Sequence, residues 1–419
     1  MVKVHCLGAT REVGRSCFLV NAKKKIMLES GIKVQTHEGP MLPPVRPHAI
    51  FYGHAHLDHI GYSAVFHRDY KPKVYGSEPT REQTILLLND SIKIAKLEHA
   101  PQIFSKEDVA SLASKWNNVY YGDTVKLGPA KVEVRDAGHV PGSCCFVVNV
   151  DGKRILYTSD YKLERTAITK GADILDLDDI DMMIMESTYS PTEHVPQPEV
   201  EKGFGEVVRK IVEGGGIALV PSFAMRAPKL LIVLKKLGLL EEHDVYLDGM
   251  GRAAVDIALN NPEYITNYKF LKSAANSVTF IHNWRQRKEA VKKPGIVVTT
   301  SGCLTGGPVV TYLKHLYLRQ DCGLVLTGFQ IPGTPGRYLL DTGRFVLEDM
   351  DLKLRLPIHQ FDFSGHTGRS GLFRTVKKIR PAKVVCVHGE YCDKFATELN
   401  GRFPEVKAYA PTLGQVIEV

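Results

Sequence analysis

The chain has 419 residues, 44% hydrophobic and 24% charged, the balance of a globular protein with a sizeable core and a length that suggests two or three domains. A formal net charge of +8 and a pI of 8.9 suit an anionic substrate such as a nucleic acid without requiring one. No apolar run is long enough to span a membrane, Met1–Leu7 has no secretory apolar core, and the eight cysteines include no C-x-x-C, so we expect a cytoplasmic protein with reduced, mostly buried thiols and neither a disulfide framework nor a zinc ribbon.

The first fifty residues read as a β-meander: Phe18-Leu19-Val20, a turn over Asn21–Lys25, then Ile26-Met27-Leu28 running into Glu29-Ser30-Gly31. A proline-rich loop leads to the apolar strand Ala49–Tyr52, which delivers Gly53-His54-Ala55-His56-Leu57-Asp58-His59. Three imidazoles and a carboxylate this close together form a donor set suited to Zn²⁺ or a similar divalent ion. An extended segment would put His54, His56 and Asp58 on one side and His59 elsewhere. One ion cannot easily use all four, whereas two adjacent ions can. The competing reading, a solvated histidine-rich loop, fits poorly with the apolar strand directly before it.

From Thr80 to about Ala100 the pattern is helical, with Ile85, Leu88, Ile92 and Leu97 on one face. Strands return over residues 117–135, and the alternating Lys131–Arg135 delivers Asp136-Ala137-Gly138-His139. Arg154–Thr158 then delivers Ser159-Asp160, and Met182–Met185 delivers Glu186. Residues 191–350 follow a different pattern. Helical stretches (203–212, 228–240, 253–260) alternate with the apolar strands Ile217–Val220, Ile296–Val298 and Leu324–Leu326, which implies βαβ units and a parallel sheet. Their glycine-rich turns, Ser301–Gly307 and Gly328–Arg337, fit neither G-x-x-x-x-G-K-[ST] nor G-x-G-x-x-G, which disfavours an ATPase or a dinucleotide enzyme. After residue 350 the pattern of the first 190 residues resumes, with apolar strands that deliver polar groups. His359–Phe363 reads as a strand delivering Ser364-Gly365-His366, and Lys383–Val387 delivers His388-Gly389-Glu390.

Seven apolar runs thus end in a histidine or an acid: Glu29, the His54 cluster, His139, Asp160, Glu186, His366 and His388. Each alone reads as a turn residue or a satisfied polar group. Together they suggest one cleft at the edge of one layered α/β domain (residues 1–190 and 351–419), with residues 191–350 inserted as a second domain.

His54-x-His56-x-Asp58-His59 with His139, Asp160 and the late His388 resembles the metallo-β-lactamase superfamily. Glu186, His366 and His388 match the extra motifs of its β-CASP branch, which processes nucleic acids. Thr300–Pro308, Asp248-Gly249-Met250 and Gly333-Thr334-Pro335-Gly336-Arg337 are similar to the β-CASP domain of the cleavage-and-polyadenylation endonuclease subunit and its archaeal and bacterial relatives. The resemblance covers essentially the whole chain. It implies an αββα sandwich with an inserted β-CASP domain, two Zn²⁺ ions, and single-stranded RNA as substrate, since DNA-processing members are expected to lack the histidine at position 388. By the same resemblance His54, His56 and His139 hold one ion, Asp58, His59 and His388 the other, and Asp160 bridges them. Two neighbouring dications acidify a shared water and neutralise charge on a phosphoryl group. His366 would then protonate the leaving oxygen, oriented by Glu186. The implied function is a zinc-dependent ribonuclease, acting as an endonuclease, a 5′-to-3′ exonuclease or both.

Ser364, Thr305 and Arg337, with Arg226 and Lys229, are candidate phosphate contacts; ordinary turns and surface solvation are the competing readings. A structural hydrogen bond is the competing role for His366. Two departures stand out. Glu29 occupies a position where the family usually has Asp, next to the ligand histidines. We also expect no N-terminal KH-type extension, so substrate grip is expected from the cleft between domains, from an RNA-processing partner or from a second copy in a homodimer. A small-molecule hydrolase of the lactamase or glyoxalase type is disfavoured by residues 191–350, and a non-catalytic RNA-binding scaffold by the intact ligand set.

Overall fold

The computed structural model describes residues 1–419, which divide into two compact units. The first comprises Met1–Arg165, Lys170–Glu193 and Gly365–Val419; the second, Thr166–Thr169 and His194–Ser364.

Two seven-stranded sheets form the first unit. One contains the antiparallel meander Lys3–Cys6, Phe18–Asn21 and Lys25–Leu28, continued in parallel by Ala49–Phe51, Lys73–Gly76 and Trp116–Asn118. The other runs from Thr124–Leu127 through Ala130–Asp136, Cys144–Val150 and Lys153–Tyr157 to Met182–Glu186 and Lys383–Val387. Period-two alternation explains the layering. Val4, Phe18, Val20, Ile26, Leu28 and Phe51 share one core with Phe146, Val148, Ile155, Ile184 and Val385, placing the sheets face to face. The residues between them are buried as well. Leu19, Met27 and Ile50 point away from that core yet lie at 0–1% exposure, and Val147, Leu156, Met183 and Val384 join a separate core with Leu372, Val376, Phe395 and Leu399 of the helices Arg369–Ile379 and Cys392–Arg402. Strands buried on both faces need a helical layer on each outer side, hence αββα.

The second unit is a six-stranded, all-parallel sheet in the order Thr279–Phe280, Val245–Leu247, Gly295–Thr299, Ile217–Pro221, Gly323–Leu326, Ile358–Gln360. Ala218, Val220, Ile296, Val298 and Val325 face one set of helices, and Ile217, Leu219, Val297, Leu324 and Leu326 the other. The expected strand at 359–363 is the shorter Ile358–Gln360. It joins this second sheet, because Ile358 to Gln360 pair in parallel with Leu324 to Leu326.

The helix expected at 80–100 spans Glu78–Leu97 and starts earlier because the Ser77 hydroxyl caps the Thr80 amide at 3.2 Å, with Pro79 in the first turn. No helix is long and apolar enough to cross a membrane.

Candidate metal centre

The predicted ligands follow the carboxyl ends of strands in the first unit, and these ends come from both of its sheets. Lys25–Leu28 precedes Glu29, and Ala49–Phe51 precedes the His54 cluster. In the other sheet, Ala130–Asp136, Lys153–Tyr157, Met182–Glu186 and Lys383–Val387 lead to His139, Asp160, Glu186 and His388. The histidine cluster is not extended. The chain leaves the strand at Phe51 and turns into a short helix over Leu57–Ile60, which swings Asp58 and His59 round to join His54 and His56. Glu29, Ser159 and His388 all adopt left-handed backbone, with φ of 63°, 49° and 51°. Such conformations are uncommon for residues with side chains and collect where a site over-determines the chain.

The donor atoms converge in two groups around one carboxylate. His54 Nε2 lies 2.9 Å from His56 Nδ1, and His139 Nε2 lies 3.3 Å from that same atom. Asp160 Oδ2 is 3.5 Å from His54 Nε2 and 3.3 Å from His59 Nε2. On the other side, Asp58 Oδ2 is 3.1 Å from His388 Nε2 and 4.0 Å from His59 Nε2. A tetrahedral ion with metal–nitrogen bonds of about 2.0–2.1 Å holds its ligand atoms roughly 3.3 Å apart. The separations among His54, His56, His139 and Asp160 fit those edges, and Asp160 reaches both groups.

Buried polar atoms give a second test of fit. His59 Nε2 and Asp160 Oδ1 are buried and make no hydrogen bond. Burial, reinforced by the neighbouring imidazoles, lowers the proton affinity of His54 and His139 well below the ordinary value and takes His56 down to about 4, so these imidazoles offer lone pairs at neutral pH. Around His59 and His388 burial is overcome by Asp160 and Asp58, which hold both imidazoles above their usual range, while the imidazoles hold the two acids below theirs. The facing acids favour positive charge between these groups, which a divalent cation held by the same atoms could supply.

Three of the imidazoles have a second nitrogen held by a neighbour, which helps to fix the one facing the centre. His139 Nδ1 meets the Gly365 carbonyl at 2.9 Å, His54 Nδ1 meets the Ser159 hydroxyl at 3.3 Å, and His388 Nδ1 meets the Thr188 hydroxyl at 3.1 Å. Glu29 is wholly buried, with Oε1 3.4 Å from His59 Nδ1 while accepting from the Gly53 amide at 3.0 Å and the Ser159 hydroxyl at 3.1 Å. His366 Nδ1 lies 2.9 Å from Glu186 Oε1, and its Nε2 4.0 Å from Asp160 Oδ2. Burial opposes a proton on His366, but Glu186 and Asp160 raise its pKa to about 9.

Three descriptions of known families match the chain: the Metallo-beta-lactamase superfamily over residues 10–202, the Beta-Casp domain over 228–339, and the Zn-dependent metallo-hydrolase RNA specificity domain over 351–411. The Probable RNase MJ4 of Methanocaldococcus jannaschii is 35% identical over 426 residues, covering 98% of this chain and 99% of that one. The chain belongs to the β-CASP branch of the metallo-β-lactamase superfamily. Other relatives of this β-CASP chain are RNase aCSPSF2 of Saccharolobus solfataricus, 35% identical over 91% of this chain and 78% of its own length, and the transcription termination factor FttA of Methanosarcina mazei, 33% identical over 93% and 67%. A crystal structure of a protein of unknown function from Enterococcus faecalis shares the fold, with a TM-score of 0.61 at 14% identity over 99% of both chains. The expected fold class, a lactamase-type sandwich with an inserted β-CASP domain, is borne out.

The first unit of this β-CASP chain therefore gathers Glu29, His54, His56, Asp58, His59, His139, Asp160, Glu186, His366 and His388. The candidate phosphate contacts belong to the second unit. Ser364 is buried, its amide bound to Asp362 at 2.9 Å; Thr305 is exposed and held by the Ser301 hydroxyl; Arg337 is exposed and pairs with Asp341 at 2.9 Å. Arg226 donates to the Thr327 carbonyl at 2.8 Å. Lys229 is buried rather than solvated, donating to Gln197 at 3.1 Å. Sequence reasoning passed over Ser159, Thr188 and Gly365, although each lies within two positions of a motif acid or histidine.

Proposed function

We propose that this chain is a metal-dependent ribonuclease that hydrolyses phosphodiester bonds of single-stranded RNA, using two zinc ions. The reading rests on one observation above all: seven N and O donors, five on buried residues and two, from His56 and Asp58, on half-buried ones, converge in two groups that share Asp160. His54 Nε2, His56 Nδ1 and His139 Nε2 would hold one ion, and Asp58, His59 Nε2 and His388 Nε2 the other. The names of the relatives supply the substrate class, and the match to an RNA specificity domain over residues 351–411 agrees with it.

When bound, the ions supply Lewis acidity, making a water acidic enough to attack and offsetting charge on the phosphoryl group. The protein's part is orientation and proton transfer. Ser159, Gly365, Thr188 and Glu29 turn the imidazoles so that the correct nitrogen faces the centre. Glu186 accepts from His366 Nδ1 and favours the protonated imidazole, leaving Nε2–H to donate. As the water oxygen bonds to phosphorus, the bond to the 3′ oxygen breaks and that oxygen takes the His366 proton. The downstream fragment keeps the phosphate on its 5′ end. Ser364, Thr305 and Arg337 are proposed to contact the RNA backbone. All eight cysteines are free and buried, which agrees with a reducing, cytoplasmic setting.

The deciding experiment digests one 3′-labelled RNA, carrying either a 5′-monophosphate or a 5′-triphosphate, with and without a chelator. Chelator-sensitive internal fragments from both forms are the endonuclease outcome; stepwise shortening of the monophosphate form alone is the exonuclease outcome. Replacing Asp58 and His59 by Ala should abolish cleavage while RNA is still bound. Cleavage surviving in that variant would overturn the mechanism.

A further inference from the structure

Beyond the hydrolytic centre, the second unit carries an aromatic and cationic feature that the proposed chemistry does not use. Trp284 opens the short helix Trp284–Ala290 and is 57% exposed. It lies just past the carboxyl end of the edge strand Thr279–Phe280. Leaving so large an apolar ring in water forgoes most of the burial free energy that drives folding. Two cations compensate: Lys288 Nζ is 4.8 Å and the Arg285 guanidinium carbon 5.6 Å from the ring centroid.

The mount beneath this ring is rigid. The Asn283 side chain caps the helix, accepting from the Arg285 and Gln286 amides at 3.1 Å each. Arg287, on the inward side, grips the fully buried Asp248 with two hydrogen bonds of 2.6 and 3.2 Å, and Tyr312 donates to the same carboxylate at 3.0 Å. Arg252 meets His282 at 2.5 Å. The stretch from His282 to Lys293 holds five Arg or Lys against a single acid, Glu289, which pairs with Lys292 at 2.7 Å. Arg285 and Lys288 therefore keep their charge for a ligand.

We propose that Trp284, with Arg285 and Lys288, is a docking platform for single-stranded RNA: a base stacks on the indole while the two cations move from the ring to the flanking phosphates. Charge complementarity selects the occupant, because an anionic polymer with flat bases satisfies both the ring and the cations at once, and neither contact depends on base identity. The inference rests on the ribonuclease reading and adds to it a second RNA contact, one that serves length-dependent binding rather than chemistry.

The test measures binding of a 2′-O-methyl oligouridine, which resists hydrolysis, to the zinc-loaded protein by fluorescence anisotropy. Trp284→Ala should weaken binding roughly 5- to 150-fold, the span expected for loss of one stacked base. Trp284→Phe should retain most of the affinity. Arg285→Gln with Lys288→Gln should reduce the slope of log K against log salt by about 1.4, near 0.7 per phosphate contact. Hydrolysis of bis(p-nitrophenyl) phosphate, which has no base to stack, should be unchanged in Trp284→Ala. The chain has two tryptophans, and Trp116 stacks on Tyr52 and donates to the Gly76 carbonyl. In a Trp116→Phe background the remaining emission should therefore be quenched by RNA with the affinity that anisotropy gives. Wild-type affinity in Trp284→Ala would overturn the platform. So would a change in oligomeric state with RNA affinity intact, which would make this face a protein contact. Failure of the wild-type protein to bind RNA at all would instead sink the ribonuclease reading.

Discussion

Glu29→Gln separates a residue that orients a ligand from one that merely packs. Glu29 Oε1 accepts from the Gly53 amide and the Ser159 hydroxyl and lies 3.4 Å from His59 Nδ1. Glutamine has nearly the same shape and can keep the first two contacts through its carbonyl oxygen, but it removes the charge behind the imidazole. A charge-assisted hydrogen bond contributes about 1.5–3 kcal/mol and a neutral one about 0.5–1.5 kcal/mol. The change should therefore cost the Asp58–His59–His388 group roughly 1–1.5 kcal/mol of metal affinity, about tenfold, at the low end of what outer partners of metal ligands contribute. The His54–His56–His139 group should lose less, since the hydrogen bond to His54 is made by the Ser159 hydroxyl and not by Glu29 itself. Thermal stability should move the other way or not at all, because burial raises the pKa of the Glu29 carboxyl and glutamine avoids burying a charge. Competitive titration against a chromophoric chelator, alongside thermal unfolding of the metal-free protein, reads both quantities. Unchanged affinity at both groups, or an equal loss at both, would refute the assignment of Glu29 to His59.

Two further outcomes follow from other positions. A Cβ on Gly31 would lie 1.7 Å from the Asp58 carbonyl oxygen and 2.7 Å from the His59 amide, so Gly31→Ala must displace the ligand-bearing turn. Metal ligands tolerate shifts of only about 0.2 Å, so metal content by elemental analysis should fall while circular dichroism stays near native; full metal content would refute the argument. Burial raises the Asp136 carboxyl to about 6 despite its hydrogen bond from the Gly138 amide, above the 3.8 ordinary for Asp. The folded state thus binds that proton more tightly, so this group's contribution is fully present below pH 3.8 and is lost as pH rises through 6. In Asp136→Asn the difference in urea midpoint from wild type should move towards stabilisation of the variant between pH 4 and pH 7; a difference independent of pH would refute it.

How much of this was legible in the sequence depends on the range over which each interaction acts. The Phe18–Leu28 meander, the parallel strands around Ile217 and Ile296, and the His54 cluster are local patterns, and all lie where local patterns put them. The turn at Leu57–Ile60 is too short to show a period, so an extended reading sent His59 to the wrong side. The sheet that Ile358–Gln360 joins is set by pairing with Leu324–Leu326, which no window around residue 358 contains. Lys229 reads as solvated by type but is buried, because Gln197 and the Phe363 carbonyl meet its ammonium. Ser159, Thr188 and Gly365 carry no chemistry by residue type and gain a role only through the imidazole each one meets.

The centre also sets which unit depends on metal. Asp58 and Asp160 face buried imidazoles with unpaired atoms, so without a cation the first unit must hold desolvated groups that lack partners. Metal affinity is then folding free energy for that unit. At a free-ion concentration about 1,000-fold above Kd, one site stabilises by about 4.1 kcal/mol. All the His and carboxylate clusters close enough to hold an ion lie in the first unit. Chelation should therefore raise amide exchange in the segments around residues 53–60, 137–160 and 386–390, and leave the strands Ile217–Pro221, Gly295–Thr299 and Gly323–Leu326 protected as before. Exchange read by mass spectrometry on peptides resolves the two. Equal loss of protection in both units would mean that they unfold as one cooperative body. No loss in either would mean that the buried donors are satisfied without metal, and the centre described here would have to be abandoned.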